Sequence, residues 1–255
     1  MGSVLKIDIR RGKILEKIKR DGTVSVAQLA EELGATPVTI RSDLDALEAE
    51  GYLIRVQGGA VQNQRSAASG LRAPGMTPEK LAIARAVAER VGDGDTLFIN
   101  SGTTMQAVAE ALHSRKNLNV VTNSMAVAAE LGAVPGFRVI LLGGEINARY
   151  GFSYGSDAQD QLSHYQADWA IMSLDGIDPD GGLTTYHAEE ASINRMMVQR
   201  SKQLIVAAEH KKVGKKGFFR FHEVGANILL VTDGQVSRQA LEELHAAGVE
   251  SIIAK

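Results

Sequence analysis

The chain has 255 residues, room for one large domain or for a medium domain beside a small one at roughly 100–200 residues each. Hydrophobic residues at 44%, charged residues at 23%, 26 Gly and 5 Pro exclude a disordered or collagen-like chain, and the absence of Cys excludes a disulfide framework, a thiolate metal site and a cysteine nucleophile. A net charge of -2 leaves no global basic field, so any nucleic-acid contact has to come from a local concentration of Lys and Arg.

That concentration stands at the start of the chain, where Lys6, Arg10, Arg11, Lys13, Lys17, Lys19 and Arg20 are set against only Asp8 and Glu16. The same stretch carries Ile7, Ile14, Leu15 and Ile18 at helical spacing and predicts an amphipathic helix ended by Asp21-Gly22. Val26–Leu33 predicts a second helix, stopped by Gly34. A third opens at Thr36, a good N-cap, with Pro37 in the first helical position; Ile40, Leu44 and Leu47 give it an inward stripe, and Gly51 stops it. Tyr52–Val61 reads as two short strands about a turn, a β-hairpin. Three helices and a hairpin make a winged helix-turn-helix over 1–61.

Residues 62–77 lack apolar periodicity and are rich in Ser, Ala, Gly, Pro and Gln, which marks a linker. Over 78–255 short apolar runs alternate with helix-length segments. The strands are expected at Thr96–Asn100, Asn119–Thr122, Arg138–Leu142, Trp169–Ser173, Leu204–Ala208, Ile228–Thr232 and Ser251–Ala254, and the helices notably at Pro78–Arg90, Thr103–His113, Ser124–Leu131, Ala188–Arg200 and Ser237–Ala247. The fold class is therefore α/β, with a mainly parallel sheet covered on both faces. No apolar run approaches the roughly 18–20 residues of a membrane span, and Val4-Leu5 followed by Lys6 is no signal-peptide core, so a cytoplasmic protein without membrane contact is expected.

With its apolar stripe turned inward, the third helix points Val38, Ser42 and Asp45 outward, with Thr39 and Arg41 on the flanks. The N-terminal residues of such a helix read base edges, which makes Thr36, Val38, Thr39, Arg41 and Ser42 candidate groove contacts; Arg41 can grip guanine or phosphate. Arg10 and Arg11, with Lys13 and Lys17, are candidate phosphate contacts from the first helix, and Arg55 is one from the wing. A solvated helical piece used for dimerisation has the same periodicity.

The run Val26-Ala27-Gln28-Leu29-Ala30-Glu31-Glu32-Leu33, then Thr36-Pro37-Val38-Thr39-Ile40-Arg41-Ser42-Asp43-Leu44, Gly51, Arg55 and Gly58-Gly59-Ala60, closely resembles the DeoR family of bacterial transcription regulators. Two positions depart from the family pattern: Ser42 stands where a second Arg is usual, and Gln57 where His is usual. Both bear on the operator sequence read and neither on the fold. The resemblance extends from about Glu79 to Lys255. It implies a C-terminal domain resembling ribose-5-phosphate isomerase without its activity, a phosphorylated-sugar effector, operator DNA as partner, repression of a sugar-catabolism operon, and a homodimer or homotetramer. Ser173-Leu174-Asp175-Gly176-Ile177-Asp178 with Ile193-Asn194-Arg195-Met196 is most similar to the branch serving N-acetylgalactosamine and related sugars, which implies an amino-sugar phosphate.

The residues offer matching chemistry. Ser101-Gly102-Thr103-Thr104 follows a strand and opens a helix, so backbone N–H groups, hydroxyls and the helix dipole converge as in a phosphate cradle; a plain βα turn has the same sequence. Thr122-Asn123-Ser124, Gly143-Gly144-Glu145, Asp175-Gly176 and Glu209-His210-Lys211-Lys212 close further strands, and in an open parallel sheet those ends form the ligand crevice. By the resemblance, Lys80 and Lys212 neutralise phosphate while Asp175, Asn123 and Glu145 accept sugar hydroxyls; as bare residues, the lysines are equally surface charges. Thr184, Thr185, Tyr186 and Glu190 read as a loop and helix start near the same pocket, or as ordinary capping. Arg149, Tyr150 and Tyr154 lie on a Gly-flanked flexible stretch.

The rival reading is a sugar-phosphate isomerase, deaminase or lactonase, for which Asp175, Glu145, His187 and His210 are possible acids and bases. An attached DNA-binding module argues against it, so no catalytic residue is assigned. The six His lack zinc-like spacing, and neither a Walker sequence nor Gly-x-Gly-x-x-Gly follows the first strand, so no metal or cofactor is expected.

Overall fold

A computed structural model describes residues 2–49, 53–62, 76–148 and 150–255, and divides into two units, Met1–Met76 and Thr77–Lys255, each with its own core. The first comprises α1 (Gly2–Asp21), β1 (Thr23–Ser25), α2 (Val26–Leu33), α3 (Pro37–Ala49), β2 (Leu53–Val56) and β3 (Gly59–Gln62). Gly51, Tyr52 and residues 63–75 of the expected linker lie outside the described residues, as do the side chains before Arg10, Ile7 among them. The three helices meet on Ile14, Ile18, Leu29, Ile40, Leu44 and Leu47, which is the spacing of the apolar stripes turned into packing. Ser25 caps α2 by accepting from the amide of Gln28, and Gly34 ends it in the left-handed conformation with φ 59°.

The short strand β1 is absent from the sequence reading. It joins the hairpin to give a sheet in the order β1-β3-β2, with Val24 opposite Ala60. Gly59 is what lets it approach: a Cβ there would lie 2.0 Å from the carbonyl oxygen of Val24. The wing is thereby tied to the strand between α1 and α2.

The second unit opens with α4 (Pro78–Ala88), followed by β4 (Thr96–Ile99), α5 (Thr103–Ala111), β5 (Asn119–Thr122), α6 (Met125–Gly132) and β6 (Arg138–Leu141). A hairpin of β7 (Glu145–Asn147) and β8 (Phe152–Tyr154) leads to α7 (Ser156–Leu162) and β9 (Ala167–Met172). Then come β10 (Gly176–Asp178), β11 (Gly182–Thr185), α8 (Ala188–Gln199), β12 (Ser201–Ala207), β13 (Phe219–His222), β14 (Ile228–Asp233), α9 (Arg238–Ala246) and β15 (Glu250–Ala254). Seven strands form one parallel sheet in the order β15-β14-β12-β9-β4-β5-β6. All seven expected strands are its members; Asn119–Thr122 matches at both ends and the others differ by at most three residues at an end. Their central residues, such as Leu97, Phe98, Ile171, Val206 and Leu230, are fully buried, as befits strands covered on both faces.

Two stretches differ from expectation. The Gly-flanked run 146–155 is the β7–β8 hairpin, seated by buried Phe152 and by the amide of Ser153 donating to the carbonyl of Asn123 at 2.8 Å; Arg149 at its turn lies outside the described residues. Thr184 and Thr185 belong to β11 and not to a loop, in a small antiparallel sheet ordered β10-β11-β13.

Candidate functional site

In the first unit α3 presents Val38, 72% exposed, with Arg41, Ser42 and Asp45 exposed beside it, while Ile40, Leu44 and Leu47 are buried. An apolar side chain and a cation held out on a helix whose other face is locked in a core suit major-groove contact. Thr36 starts the helix: its hydroxyl accepts from the amide of Thr39 at 3.2 Å and lies 2.9 Å from the Thr39 hydroxyl, so both threonines are partly committed to the cap.

The expected phosphate arginines are engaged within the unit. Arg10 and Arg11 both direct their Nε at the carboxylate of Asp43, Arg11 at 3.1 Å, and Asp43 is buried. Arg55 donates from Nε to Asp45 at 2.9 Å and from its guanidinium to the Gly59 carbonyl at 2.8 Å, while its amide donates to Glu48 at 2.6 Å. Through these pairs α1 and the wing both brace α3. Lys17 pairs with Glu32, and Lys13 is exposed.

In the second unit the chain enters the sheet at β4, runs out through β5 and β6, and returns to the other side of β4 at β9. Connections therefore leave β4 and β9 in opposite directions, which opens a crevice at their carboxyl ends. The buried polar residues gather there: Asn100, Ser101 and Thr104 after β4, Asn123 and Ser124 after β5, Ser173 after β9, Thr185 at the end of β11, and Glu209 after β12. Gly102 turns the chain from β4 into α5 with φ 125°, and a Cβ there would meet Ser173 Oγ at 2.6 Å. The turn thus packs against the end of β9 and leaves the first amides of α5 open to a ligand oxygen.

Lys80, only 5% exposed, reaches this turn from α4 and donates from Nζ to Thr103 Oγ1 at 2.8 Å. Glu209 Oε2 is 3.7 Å from the same Nζ, and its Oε1 is 3.3 Å from Lys211 Nζ. Burial holds the Lys80 ammonium below the usual lysine range and the neighbouring Lys211 and Lys212 add to this, against the opposing pull of Glu209. Lys212, half-buried, follows at the same strand end, its amide donating to the Glu209 carbonyl at 2.9 Å. On the other flank Ser101 donates to Glu190 Oε1 at 3.1 Å, Thr185 Oγ1 stands 2.7 Å from Glu190 Oε2 and 3.1 Å from Asp175 Oδ2, and the Tyr186 amide donates to that Asp175 oxygen at 3.0 Å. Desolvation, then the charge of Asp175, pushes the Glu190 carboxyl above the ordinary range. The crevice is therefore bipolar, with lysines beside the α5 turn and carboxyl groups across it.

Other expected residues have structural duties. Thr122 Oγ1 accepts from the Ser124 amide at 3.0 Å, Ser124 caps α6, and the Gly143 amide donates to Gln161 at 2.9 Å. Gly144, with φ 130°, packs on the Tyr154 carbonyl, and Gly176 lies beneath the Lys215 carbonyl. Glu145 is exposed on β7, where its charge holds the Tyr154 phenol above its ordinary value. Asn123 donates to the Ser153 carbonyl at 3.1 Å, and its Oδ1 is buried without a hydrogen-bond partner among the described residues.

Two participants, Asn100 and Asp233, were not singled out as site residues from the sequence. Asn100 bridges the ends of β4 and β9, donating to the Ser173 carbonyl at 2.9 Å and accepting the Ser173 amide at 3.0 Å, and it also donates to Asn194 at 3.1 Å. Buried Asp233 accepts from the His210 amide and lies against its Nδ1, both at 2.8 Å; these donors outweigh its burial and keep its carboxyl low. Among the described residues no helix is long and apolar enough to cross a membrane, and no group of His, Asp and Glu could hold a metal.

Comparison with known proteins accounts for both units. Residues 10–66 match the DeoR-like helix-turn-helix domain and residues 76–234 the DeoR C-terminal sensor domain. The glycerol-3-phosphate regulon repressor of Escherichia coli K12 is 35% identical over 88% of this chain and 90% of its own. The transcriptional repressor GlcR of Bacillus subtilis is 32% identical over 94% and 93%. These relatives are repressors and not enzymes. A ribose 5-phosphate isomerase structure from Plasmodium falciparum is similar with a TM-score of 0.39 and 17% identity, over 57% of this chain and about half of that one (53%). The chain is thus a member of the DeoR family of transcriptional regulators, a DNA-binding helix-turn-helix joined to a sensor domain.

Proposed function

We propose that the chain represses an operon for the use of a phosphorylated sugar or polyol, and that this compound, bound at the carboxyl ends of β4, β9 and β12, changes the affinity for operator DNA. The observation that carries the reading is Lys80: a cation 5% exposed and hydrogen-bonded to Thr103 in the first turn of α5 is no solvated surface charge, which supports an anion site there. Ser101, Gly102, Thr103 and Thr104 would receive the phosphate with Lys80 and Lys212, while Asp175, Asn123 and Thr185 would receive hydroxyls. Arg41, Ser42, Thr39 and Val38 would read bases. The winged helix of 1–61, the linker of 62–77 and the sensor of 78–255 would act in the cytoplasm as a homodimer or homotetramer, which places two recognition helices at half-sites about 34–36 Å apart.

A relative 35% identical carries glycerol 3-phosphate in its name, which adds that compound to the amino-sugar phosphates expected from the Ser173–Asp178 resemblance. The test is a thermal-shift screen of phosphorylated against free sugars, glycerol 3-phosphate included, followed by operator binding at fixed salt. Stabilisation by a phosphorylated compound, with a change in operator affinity, is expected. An operator affinity that stays constant across the panel would refute the reading.

A further inference from the structure

Thr185 Oγ1 lies within hydrogen-bonding distance of two carboxyl oxygens at once, Glu190 Oε2 at 2.7 Å and Asp175 Oδ2 at 3.1 Å. A hydroxyl has one hydrogen and two lone pairs, so it can donate to one of these oxygens only. Were both carboxyls ionised, the second would meet a lone pair with no hydrogen between them, in a crevice where an unmet carboxylate is costly. The His187 amide, at 3.4 Å, supplies a donor to Thr185 Oγ1 but none to either carboxyl. The contact needs one further proton, and it has to sit on a carboxyl.

Glu190 is the group that holds it. Asp175 Oδ2 already accepts the Tyr186 amide, a donor suited to a carboxylate, whereas among the described residues Glu190 Oε2 meets the Thr185 hydroxyl alone, and at the shorter distance. Its other oxygen accepts from Ser101, as the carbonyl oxygen of a neutral acid can. The charged groups acting on Glu190 are Asp175, which opposes its ionisation, and His187, which favours it only when protonated.

We infer that Glu190 is a neutral carboxylic acid in the folded protein, donating to Thr185, which in turn donates to Asp175 and fixes it as the single carboxylate that receives the hydroxyl end of the effector. Ser101, Glu190, Thr185 and Asp175 then form one directed hydrogen-bond chain from the phosphate cradle to the sugar end. This rests on the effector reading above and narrows it: one negative charge opposite the lysines suits the hydroxyls of a neutral polyol phosphate. An ammonium group placed there would instead draw the proton from Glu190 into solvent. Glu190 is a positioning residue, acting on the ligand through Thr185 and Asp175.

Carboxyl carbon NMR of the ligand-free, full-length chain reads the protonation directly. Glu190 is expected to titrate above the ordinary Glu value of about 4.3; a midpoint at or below that value overturns the inference. With glycerol 3-phosphate as probe, binding to the wild type is expected to weaken as Glu190 ionises on raising the pH, a loss absent from Glu190→Gln, since the amide keeps the donor and the acceptor but cannot ionise. Parallel profiles would overturn it. Asp175→Asn is expected to lose glycerol 3-phosphate by about tenfold or more while inorganic phosphate is retained, and equal losses for both probes would count against the hydroxyl role. A wild type that binds neither probe removes glycerol 3-phosphate as the effector and returns that question to the panel, whereas the ligand-free titration decides the state of Glu190 by itself.

Discussion

Lys80 is in the sequence a lysine of a helix's first turn, a position where solvated charges are common; burial is what makes it informative. Keeping an ammonium out of water costs stability, and the lowered titration of Lys80 measures part of that cost. The sign follows from proton linkage. A lysine that releases its proton more readily in the folded chain than in the unfolded one destabilises the fold at neutral pH, and this penalty fades as pH rises through the lowered folded value toward about 10.4. Lys80→Met fills similar volume without the charge and leaves Glu209 paired with Lys211. It is expected to equal or exceed the wild type in denaturant stability at pH 7, with an advantage that narrows in alkali, and to lose stabilisation by phosphorylated ligands. A variant markedly less stable at pH 7 would make Lys80 a structural cation. In the other unit, Arg41 is exposed on α3 with no duty in the core. Arg41→Ala should weaken operator binding by about 1–3 kcal/mol, roughly 5- to 150-fold, and leave the ligand thermal shift in place. Gel-shift titration checks the first, and coincident loss of both would contradict separable sites.

At the scale of elements, α3 is held from two sides by ion pairs that charge patterning alone assigns to DNA. Asp43 stands three residues after Ile40, and only the approach of α1 shows that Arg10 and Arg11 close over it. Removing one partner of a buried pair can cost about 3–5 kcal/mol, but both arginines retain some access to water, so Asp43→Ala is expected to cost about 1–3 kcal/mol. Denaturant unfolding checks this, and operator binding should fall as well because α3 loses its brace to α1. The same contrast explains what was legible. The seven parallel strands are continuous apolar runs between turn residues, and periodicity finds them. The strands β10, β11 and β13 are three or four residues long, two open on Gly, and they pair in a small sheet of their own, so no long apolar run marks them. In the crevice, Ser101–Thr104 was legible because a strand, a Gly and two Thr before a helix have a mechanism in sequence. Glu190 already reads in the sequence as lying at a helix start near the pocket, whereas Asn194 sits further along that helix, where amide residues ordinarily face water, and only its contact with Asn100 shows it turned inward.

At the scale of the whole molecule, α4 is the element through which the two functions can be coupled. It begins at Pro78, just after the boundary between the units, and its first turn carries the groups that answer to the crevice. Thr77 caps it by accepting from the Lys80 amide at 3.3 Å, Lys80 reaches Thr103 and Glu209, and Glu79 accepts from Gln235 at 3.3 Å. On the proposed reading, a phosphate arriving at α5 would compete with Glu209 and Thr103 for the Lys80 ammonium, so the first turn of α4 would not hold the same contacts with and without ligand. The linker to the winged helix leads directly into that turn. A coupling free energy of about 1–3 kcal/mol would change operator affinity by about 5- to 150-fold, and linkage makes the effect reciprocal: operator DNA must change effector affinity by the same factor. Titrating the effector onto the chain with and without saturating operator, and operator with and without effector, should give equal factors in the wild type. Lys80→Met should bind operator normally and show a factor of one in both directions. A variant that still responds to the effector would place the coupling elsewhere than α4.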